Sequence, residues 1–470
     1  MRVVVIGIDG ASWDPILPHL GKGLLKGFEE FWNNGLHGPL ISTIPYITQP
    51  GWRSYSMGKN PGKHGVYNWF KIDWKNFKFT NINSLGFYGE DYWDILSAAG
   101  FKVGIVDMPS TFPPKMVKGT MISGFPFGDG DWTYPASFVE KIPVTYPKES
   151  TNLFVKVEDP DITMNGIERD IKSRFDMMDL LWDNDLIHIT AVMNDHVSHF
   201  MWHNEKIMLR NLVANDEGIQ RVLERNKDGY TILMSDHGNG PLKDEFYANE
   251  FLKKEGLLFT KDSKKGISQE RVANVGTKFG LYKIARILPT GLQQRIINSV
   301  RNLESETFLS LEKRLDWKQT RAIALDAGLI YLNPLYSEER EDVITEITRK
   351  LNSVTAKNGE KLYKNILRGS EVYWGKYSNA SPDIIALTND VYAQREQLTG
   401  HLWSSDIPLE SWAFRLPFTG QHRIKGIFGM VGPGITSKEI SPSIYDLAPT
   451  ILKLFHCEIP KDMDGKSIIE

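Results

Sequence analysis

The sequence predicts an α/β fold: a central, mostly parallel sheet with helices on both faces and an inserted cap. Three observations predict it. Short apolar runs rich in Val and Ile recur along the chain, helical patterns stand between them, and one long stretch in the middle departs in composition from both. At 470 residues the chain has room for roughly two or three domains, or for one large domain carrying an insertion.

The runs are Arg2 to Ile8, Lys102 to Val106, Leu186 to Val192, Tyr230 to Met234, Asp383 to Leu387 and Gly426 to Val431. Each has the length of a strand and little polar alternation, the pattern of strands covered on both faces, so they are expected to be buried and parallel. Helices are expected at Tyr92 to Ala99, ahead of the second run, and at Gly166 to Trp182, ahead of the third. The departure in composition lies at Lys253 to Arg301, with eleven Lys or Arg against three Asp or Glu. Within it, KFGLYKIARILPTGLQQRIINSVRNL reads as two short amphipathic helices broken at Pro289. Three uses are open to this basic stretch: a solvated face packed on the main domain, a cap over an anionic substrate, or a peripheral membrane contact through 253–301. The chain is therefore divided into a catalytic domain of residues 1–245 and 380–470 and an inserted cap or accessory region of 246–379.

Charge and cysteine usage narrow the function. Lys plus Arg number 55 against 58 Asp plus Glu, a net charge of −3, so no stable nucleic-acid partner is expected. Cys457 is the single cysteine; an internal disulfide, a thiolate cluster and a CxxC redox pair are excluded, and any metal must be held by His, Asp or Glu. No apolar stretch reaches the roughly 18 residues of a membrane span. MRVVVIGI lacks the features of a signal peptide, and with the lone cysteine this makes the cytoplasm the expected compartment. No heptad pattern indicates an oligomeric state.

Four clusters carry the chemistry, each at the end of a predicted strand or in the loop after it, where α/β sheets place their ligands. The first is Ile8-Asp9-Gly10, a carboxylate leaving a strand beside a glycine that lets the backbone turn; by itself Asp-Gly is also a common turn. The second is Pro45-Tyr46-Ile47-Thr48-Gln49-Pro50-Gly51-Trp52, in which a hydroxyl stands at a helix start, either beside free N–H groups that suit a phosphate or as the cap of a helix beginning at Pro50. The third is Asn194 to His199: Asp195 and His199 are four apart, so on a helix they share a face and can hold one divalent ion, while His196, His199 and His203 offer a rival set. The fourth is Met234-Ser235-Asp236-His237-Gly238, an acid and a base after a strongly apolar run, and a late His422 precedes the last strand. Asp9, Thr48, Asp195, His199, Asp236, His237 and His422 suffice for two ions with open positions, a hydrolytic centre for a phosphate or sulfate ester.

With these clusters in this order, the sequence resembles the alkaline phosphatase superfamily, and within it the type I phosphodiesterase/nucleotide pyrophosphatase family. The resemblance rests on Asp9, Thr48-Gln49-Pro50, Gly58, Pro61-Gly62-Lys63-His64-Gly65, the Asp195 to His199 spacing, Ser235 to Gly238 and His422, with GIFGMVGPGI, IYDLAPTIL and DMDGK closing the chain. It covers about residues 1–245 and 380–470. It implies an alkaline phosphatase-like sheet, with Asp195, His199 and His422 on one metal and Asp9, Thr48, Asp236 and His237 around the other. Zinc is the family expectation; Mn, Fe or Co suit the same nitrogen and oxygen ligands. It further implies that Thr48, ionised beside a metal, attacks a small-molecule phosphodiester or nucleotide and forms a phosphothreonine that water then hydrolyses.

One position departs from the family: where an asparagine usually stands three residues after the nucleophile, this chain has Gly51, so the Gly51 N–H or Arg53 is the candidate donor to a phosphate oxygen. Tyr46, Trp52, Tyr67 and Trp69 are candidates to stack on a base, though core packing is the commoner fate of such rings. The sulfatase reading is strongly disfavoured, because that chemistry needs Cys or Ser in a C/S-x-P-x-R segment. A phosphomonoesterase, a phosphoglycerate mutase-like enzyme and a phospho-alcohol transferase would use the same metal chemistry and stay open. A binding module without catalysis is disfavoured by the presence of all seven residues.

Overall fold

The computed structural model describes residues 2–86, 89–148, 160–261, 311–407 and 418–469. The strands of its first half are β1 (Val3–Ile8), β2 (Leu36–Ile41), β3 (Phe70–Asp73), β4 (Lys78–Asn81), β5 (Val103–Val106), β6 (Gly119–Ile122), β7 (Thr133–Tyr134), β8 (Leu186–Ala191) and β9 (Tyr230–Met234). Those of the second are β10 (Gly238–Pro241), β11 (Asp244–Tyr247), β12 (Ala322–Ala324), β13 (Leu329–Leu332), β14 (Tyr363–Arg368), β15 (Ile384–Thr388), β16 (Tyr392–Arg395), β17 (Gly420–Arg423), β18 (Lys425–Val431) and β19 (Lys438–Glu439). Nine of them form one sheet in the order β19-β2-β18-β9-β1-β8-β5-β6-β7. Its middle, β9-β1-β8-β5-β6, is parallel throughout.

The helices needed here are α1 (Lys26–Asn34), α2 (Thr48–Met57), α3 (Pro61–His64), α4 (Tyr92–Ala98), α5 (Pro160–Leu181), α6 (Met193–Met201) and α7 (Glu205–Arg225). Along β1 the side chains alternate between two cores, as a pleated strand requires. Val4, Ile6 and Ile8 pack with Phe28 and Phe31 of α1, Ile171 and Phe175 of α5 and Ile219 of α7. Val3 and Val5 face Trp52 and Tyr55 of α2, Trp93 of α4 and Ile451 near the C-terminus. Burial of each such side chain stabilises the fold by roughly 1.5–3 kcal/mol, so β1 is clamped from both sides and its carboxyl end is a rigid place to mount a ligand. A third core packs around an antiparallel sheet of order β12-β13-β15-β14 and takes in Tyr46 and Tyr67 from the segments flanking α2.

Two predicted strands play other parts. Gly426 to Val431 joins the central sheet in β18, antiparallel to β2 and β9. Asp383 to Leu387 becomes β15, which leaves that sheet and pairs antiparallel with β13 and β14. An unbroken apolar run reports burial on both faces, and an antiparallel strand inside a second core satisfies that as fully as a parallel one. Residues 262–301 of the basic stretch, and the two amphipathic helices predicted there, lie outside the described residues. Among the described residues no helix is long and apolar enough to cross a membrane.

His188 stands fully buried in the middle of β8, with Tyr55 and Tyr92 hydroxyls 3.1 and 3.2 Å from Nδ1 and Thr190 Oγ1 2.9 Å from Nε2. Burial pushes it down to about 3, against an ordinary value of 6.5, and lowers His64 strongly as well. The unfolded chain therefore takes up protons near pH 6.5 that the folded chain refuses. The contribution of these two histidines to stability is fully present above that pH and is lost, by a few kcal/mol in total, as pH drops toward 3. Urea midpoints measured at pH 7.5, 6 and 5 should decline steadily in the wild type and less steeply in His188→Asn; equal slopes would mean that His188 is not the group responsible.

Candidate active site

Asp9 follows β1 directly, Asp236 and His237 follow β9 after Ser235, and Asp195 lies in the first turn of α6, just beyond β8. Because β9, β1 and β8 are adjacent and parallel, their three loops emerge side by side at one carboxyl edge, the usual ligand-binding edge of such sheets. β2 runs in the same direction as β9, both being antiparallel to β18, and the chain leaving it enters α2 at Thr48 over that edge. His422 arrives on β17, which pairs with β10 so that His422 stands opposite Asn239. The Asp-Gly turn has a specific cause here. Gly10 has φ +65°, and a Cβ on it would lie 2.3 Å from Asn239 Nδ2 and 2.6 Å from Asp195 Oδ1.

His199 Nε2 lies 3.3 Å from Asp195 Oδ2 and 2.9 Å from His422 Nε2, and His422 Nε2 is 3.4 Å from Asp195 Oδ1. Beside this group His237 Nε2 is 3.2 Å from Asp236 Oδ2, 3.8 Å from Asp9 Oδ1 and 3.4 Å from Thr48 Oγ1. The two groups adjoin, the rings of His237 and His422 stacking with centroids 3.8 Å apart. Ligand atoms of Asp9, Asp236 and His237 lie within 4.8 Å of one another, as do those of Asp195, His237 and His422, so His237 borders both. His199 Nδ1 donates to the Gly420 carbonyl and His237 Nδ1 to that of Gly238, each at 3.1 Å. A carbonyl only accepts, so in the neutral rings these bonds fix the tautomer and leave each Nε2 with a lone pair facing the cluster.

The charges are arranged for a cation. Burial pushes the carboxyls of Asp9 and Asp236 well above the usual range, and the neighbouring carboxylates push the same way. Burial opposes the charge on Asp195 too, but His199 and His422 outweigh it and hold this carboxyl well below the usual range. Burial lowers His237 and His422, whereas Asp195 raises His199 against its burial. Asp9 Oδ1 and Asp236 Oδ2 are buried without a hydrogen-bond donor; the nearby His237 Nε2 presents an electron pair, not a proton. Bare carboxylate oxygens facing bare imidazole nitrogens are costly by themselves and fit divalent cations.

Thr48 does not cap a helix starting at Pro50. α2 begins at Thr48 itself with Ile47 in the cap position, and the hydroxyl faces His237 instead. The two expected phosphate donors are not aimed at Thr48. The Gly51 N–H bonds the Ile47 carbonyl at 3.0 Å within the first turn, and Gly51 Cα packs against Asp236. Arg53 lies buried in an ion pair with Asp91, which also binds Lys115 at 2.7 Å; five residues on along a helix, it points away from the nucleophile. Of the rival histidines, His203 is exposed beyond the end of α6. Tyr46, Trp52 and Tyr67 are buried, whereas Trp69 is half-buried and stacks on Phe125. Two asparagines were not anticipated. Asn194 donates to the Asp9 carbonyl at 2.7 Å, and Asn239 donates to Asp195 Oδ1 at 2.8 Å and to the Gly10 carbonyl at 3.0 Å.

A family model described as type I phosphodiesterase / nucleotide pyrophosphatase matches residues 3–401. The chain belongs to this family. As a member it is a phosphoric ester hydrolase of the phosphodiesterase/pyrophosphatase kind, with the divalent-metal dependence that membership implies. The match runs through 246–379, where the sequence alone offered no likeness, and stops before His422, whose place in the cluster rests on the pairing of β17 with β10. No curated protein matches the chain in sequence. Among solved structures, human ectonucleotide pyrophosphatase/phosphodiesterase 5 (ENPP5) is 13% identical with a TM-score of 0.55, covering 99% of this chain and 97% of its own. Wild-type alkaline phosphatase PafA is 15% identical with a TM-score of 0.57, covering 99% and 98%. At such identities both share its fold, the alkaline phosphatase-like α/β architecture.

Proposed function

We propose that this family member hydrolyses phosphodiesters, nucleotides foremost, through a covalent phosphothreonine on Thr48 at a site for two divalent cations. The observation that carries the reading is the convergence of Thr48 with Asp9, Asp195, His199, Asp236, His237 and His422 at one sheet edge, with Asp9 Oδ1 and Asp236 Oδ2 lacking donors. Asp195, His199 and His422 would hold one ion and Asp9, Asp236 and His237, with Thr48, the other; zinc is the first expectation, and Mn, Fe or Co suit the ligand types. Bound there, such ions supply acidity to a neighbouring hydroxyl and neutralise charge on phosphate oxygens.

Thr48 Oγ1 attacks phosphorus as the bond to the leaving alcohol or phosphate breaks, and water later cleaves the phosphothreonine and regenerates the hydroxyl. The first N–H groups of α2, on Thr48 and Gln49, have no carbonyl within the helix and favour the negative phosphate, a role that neither Gly51 nor Arg53 fills. Murine ENPP5, in an inactive threonine-to-alanine form, has been captured with AMP, which supports a nucleotide on this fold. The likeness to PafA supports a second reading, a phosphomonoesterase. Placement in the cytoplasm rests on the single Cys457.

The metal-loaded enzyme is expected to turn over bis-p-nitrophenyl phosphate faster than p-nitrophenyl phosphate, and to lose both activities on chelation and regain them on adding metal. Faster monoester turnover would establish the phosphatase reading instead; activity that survives complete metal removal would defeat both.

A further inference from the structure

We infer that Trp52 is a positioning residue whose indole N–H fixes which oxygen of Asp9 faces the ion. The inference rests on the reading of Asp9 as a ligand. Trp52 is fully buried, and its Nε1, the one polar atom of the side chain, donates to Asp9 Oδ2 at 2.9 Å. The other oxygen, Oδ1, is the buried atom without a donor, and it is the one that lies 3.8 Å from His237 Nε2. The carboxylate is thus divided, one oxygen engaged by the protein and one left bare toward the cluster. The Asn194 amide on the Asp9 carbonyl holds the backbone of the same residue.

The indole itself has little freedom. It meets Tyr55 and His188 edge-on, with centroids at 5.8 and 5.9 Å, and those two are joined by a 3.1 Å hydrogen bond. Gly7 also adjoins the ring, and a Cβ there would come 2.5 Å from Trp52 Cη2; the glycine in β1 is what lets the ring seat. Trp52 also stands four residues after Thr48, one turn along the same face of α2. One helix therefore carries both the nucleophile and the donor that orients a ligand, so the hydroxyl and the carboxylate are set in register by a single rigid element.

The test is metal binding to the stripped full-length protein, read by calorimetry with Zn²⁺ or Mn²⁺ against a competing chelator. Trp52→Phe keeps a ring and removes the N–H. It is expected to bind one of the two ions roughly 10–100-fold more weakly and the other unchanged, with most turnover recovered at saturating metal. Trp52→Phe that melts lower yet binds both ions like the wild type would reduce Trp52 to a packing residue and overturn the inference. If Trp52→Phe does not fold, the same titration on protein carrying benzothienylalanine at position 52, with sulfur in place of N–H, reads the same hydrogen bond with the ring shape kept. A wild type that binds no divalent ion would overturn the metal-site reading and this inference together; two ions bound equally by wild type and variant would overturn the inference alone.

Discussion

Thr48→Ala is expected to lower turnover of every ester substrate by at least about a thousandfold while leaving the fold and the affinity for the ion at Asp195, His199 and His422 nearly unchanged; the ion at Asp9, Asp236 and His237 loses one oxygen and should bind more weakly. Removal of a covalent nucleophile costs that much or more in other hydrolases, since what is left is binding and charge stabilisation. The stability effect should be small for a reason particular to this position. Thr48 Oγ1 caps nothing, because Ile47 is the cap, and its neighbour His237 Nε2 is a distant 3.4 Å, so the change removes a methyl and a weak contact, under about 1 kcal/mol. Quenching the wild type during turnover of a slow diester should leave a phosphoryl adduct on the peptide containing Thr48, visible by mass spectrometry. Thr48→Ser should retain measurable turnover, the hydroxyl being kept. An alanine variant with near wild-type rates would mean that water attacks phosphorus directly.

Much of the sheet was legible because β1, β8 and β9 are buried on both faces and so written as unbroken apolar runs. The same feature hid direction: β15 and β18 read identically and turned out antiparallel, one of them in another sheet. The site was legible where its residues sit on loops that leave those strands, since a carboxylate or histidine immediately after an apolar run has no packing reason to be there. Gly51 and Arg53 were chosen by spacing along the chain, which does not say which way a helix faces. Only the ion pair of Arg53 with Asp91 and the bond from Gly51 to Ile47 reveal that both are already spent. Asn194, Asn239 and the indole of Trp52 were beyond sequence reasoning for a related cause. Their work depends on contacts across 43 to 185 positions of chain, which no local pattern encodes. His422 is the opposite case, a residue outside the family match that the β10–β17 ribbon delivers to its partners.

Asp236→Asn is expected to split stability from function: the metal-free variant should melt higher than the metal-free wild type, and its activity at ordinary metal concentrations should fall by about a thousandfold or more. In the metal-free protein Asp236 Oδ2 is buried without a donor and 3.2 Å from the lone pair of His237 Nε2, and burial together with Asp195 raises its proton affinity. An asparagine keeps Oδ1 to accept from the Gly10 N–H and puts an amide N–H where Oδ2 was, within reach of that nitrogen. The amide makes that hydrogen bond without the buried charge or the proton uptake that the carboxyl needs, a gain on the order of 1–3 kcal/mol and a few degrees in Tm. With metal the order reverses. The wild type gains about 4 kcal/mol at a thousandfold excess over Kd, whereas the variant has lost both a ligand oxygen and the negative charge that holds the ion. Thermal melts of the two proteins with chelator and with excess Zn²⁺ should therefore cross. If Asp236→Asn is the less stable protein under both conditions and responds to metal like the wild type, Asp236 is a structural carboxylate and the second ion must be sought on other residues.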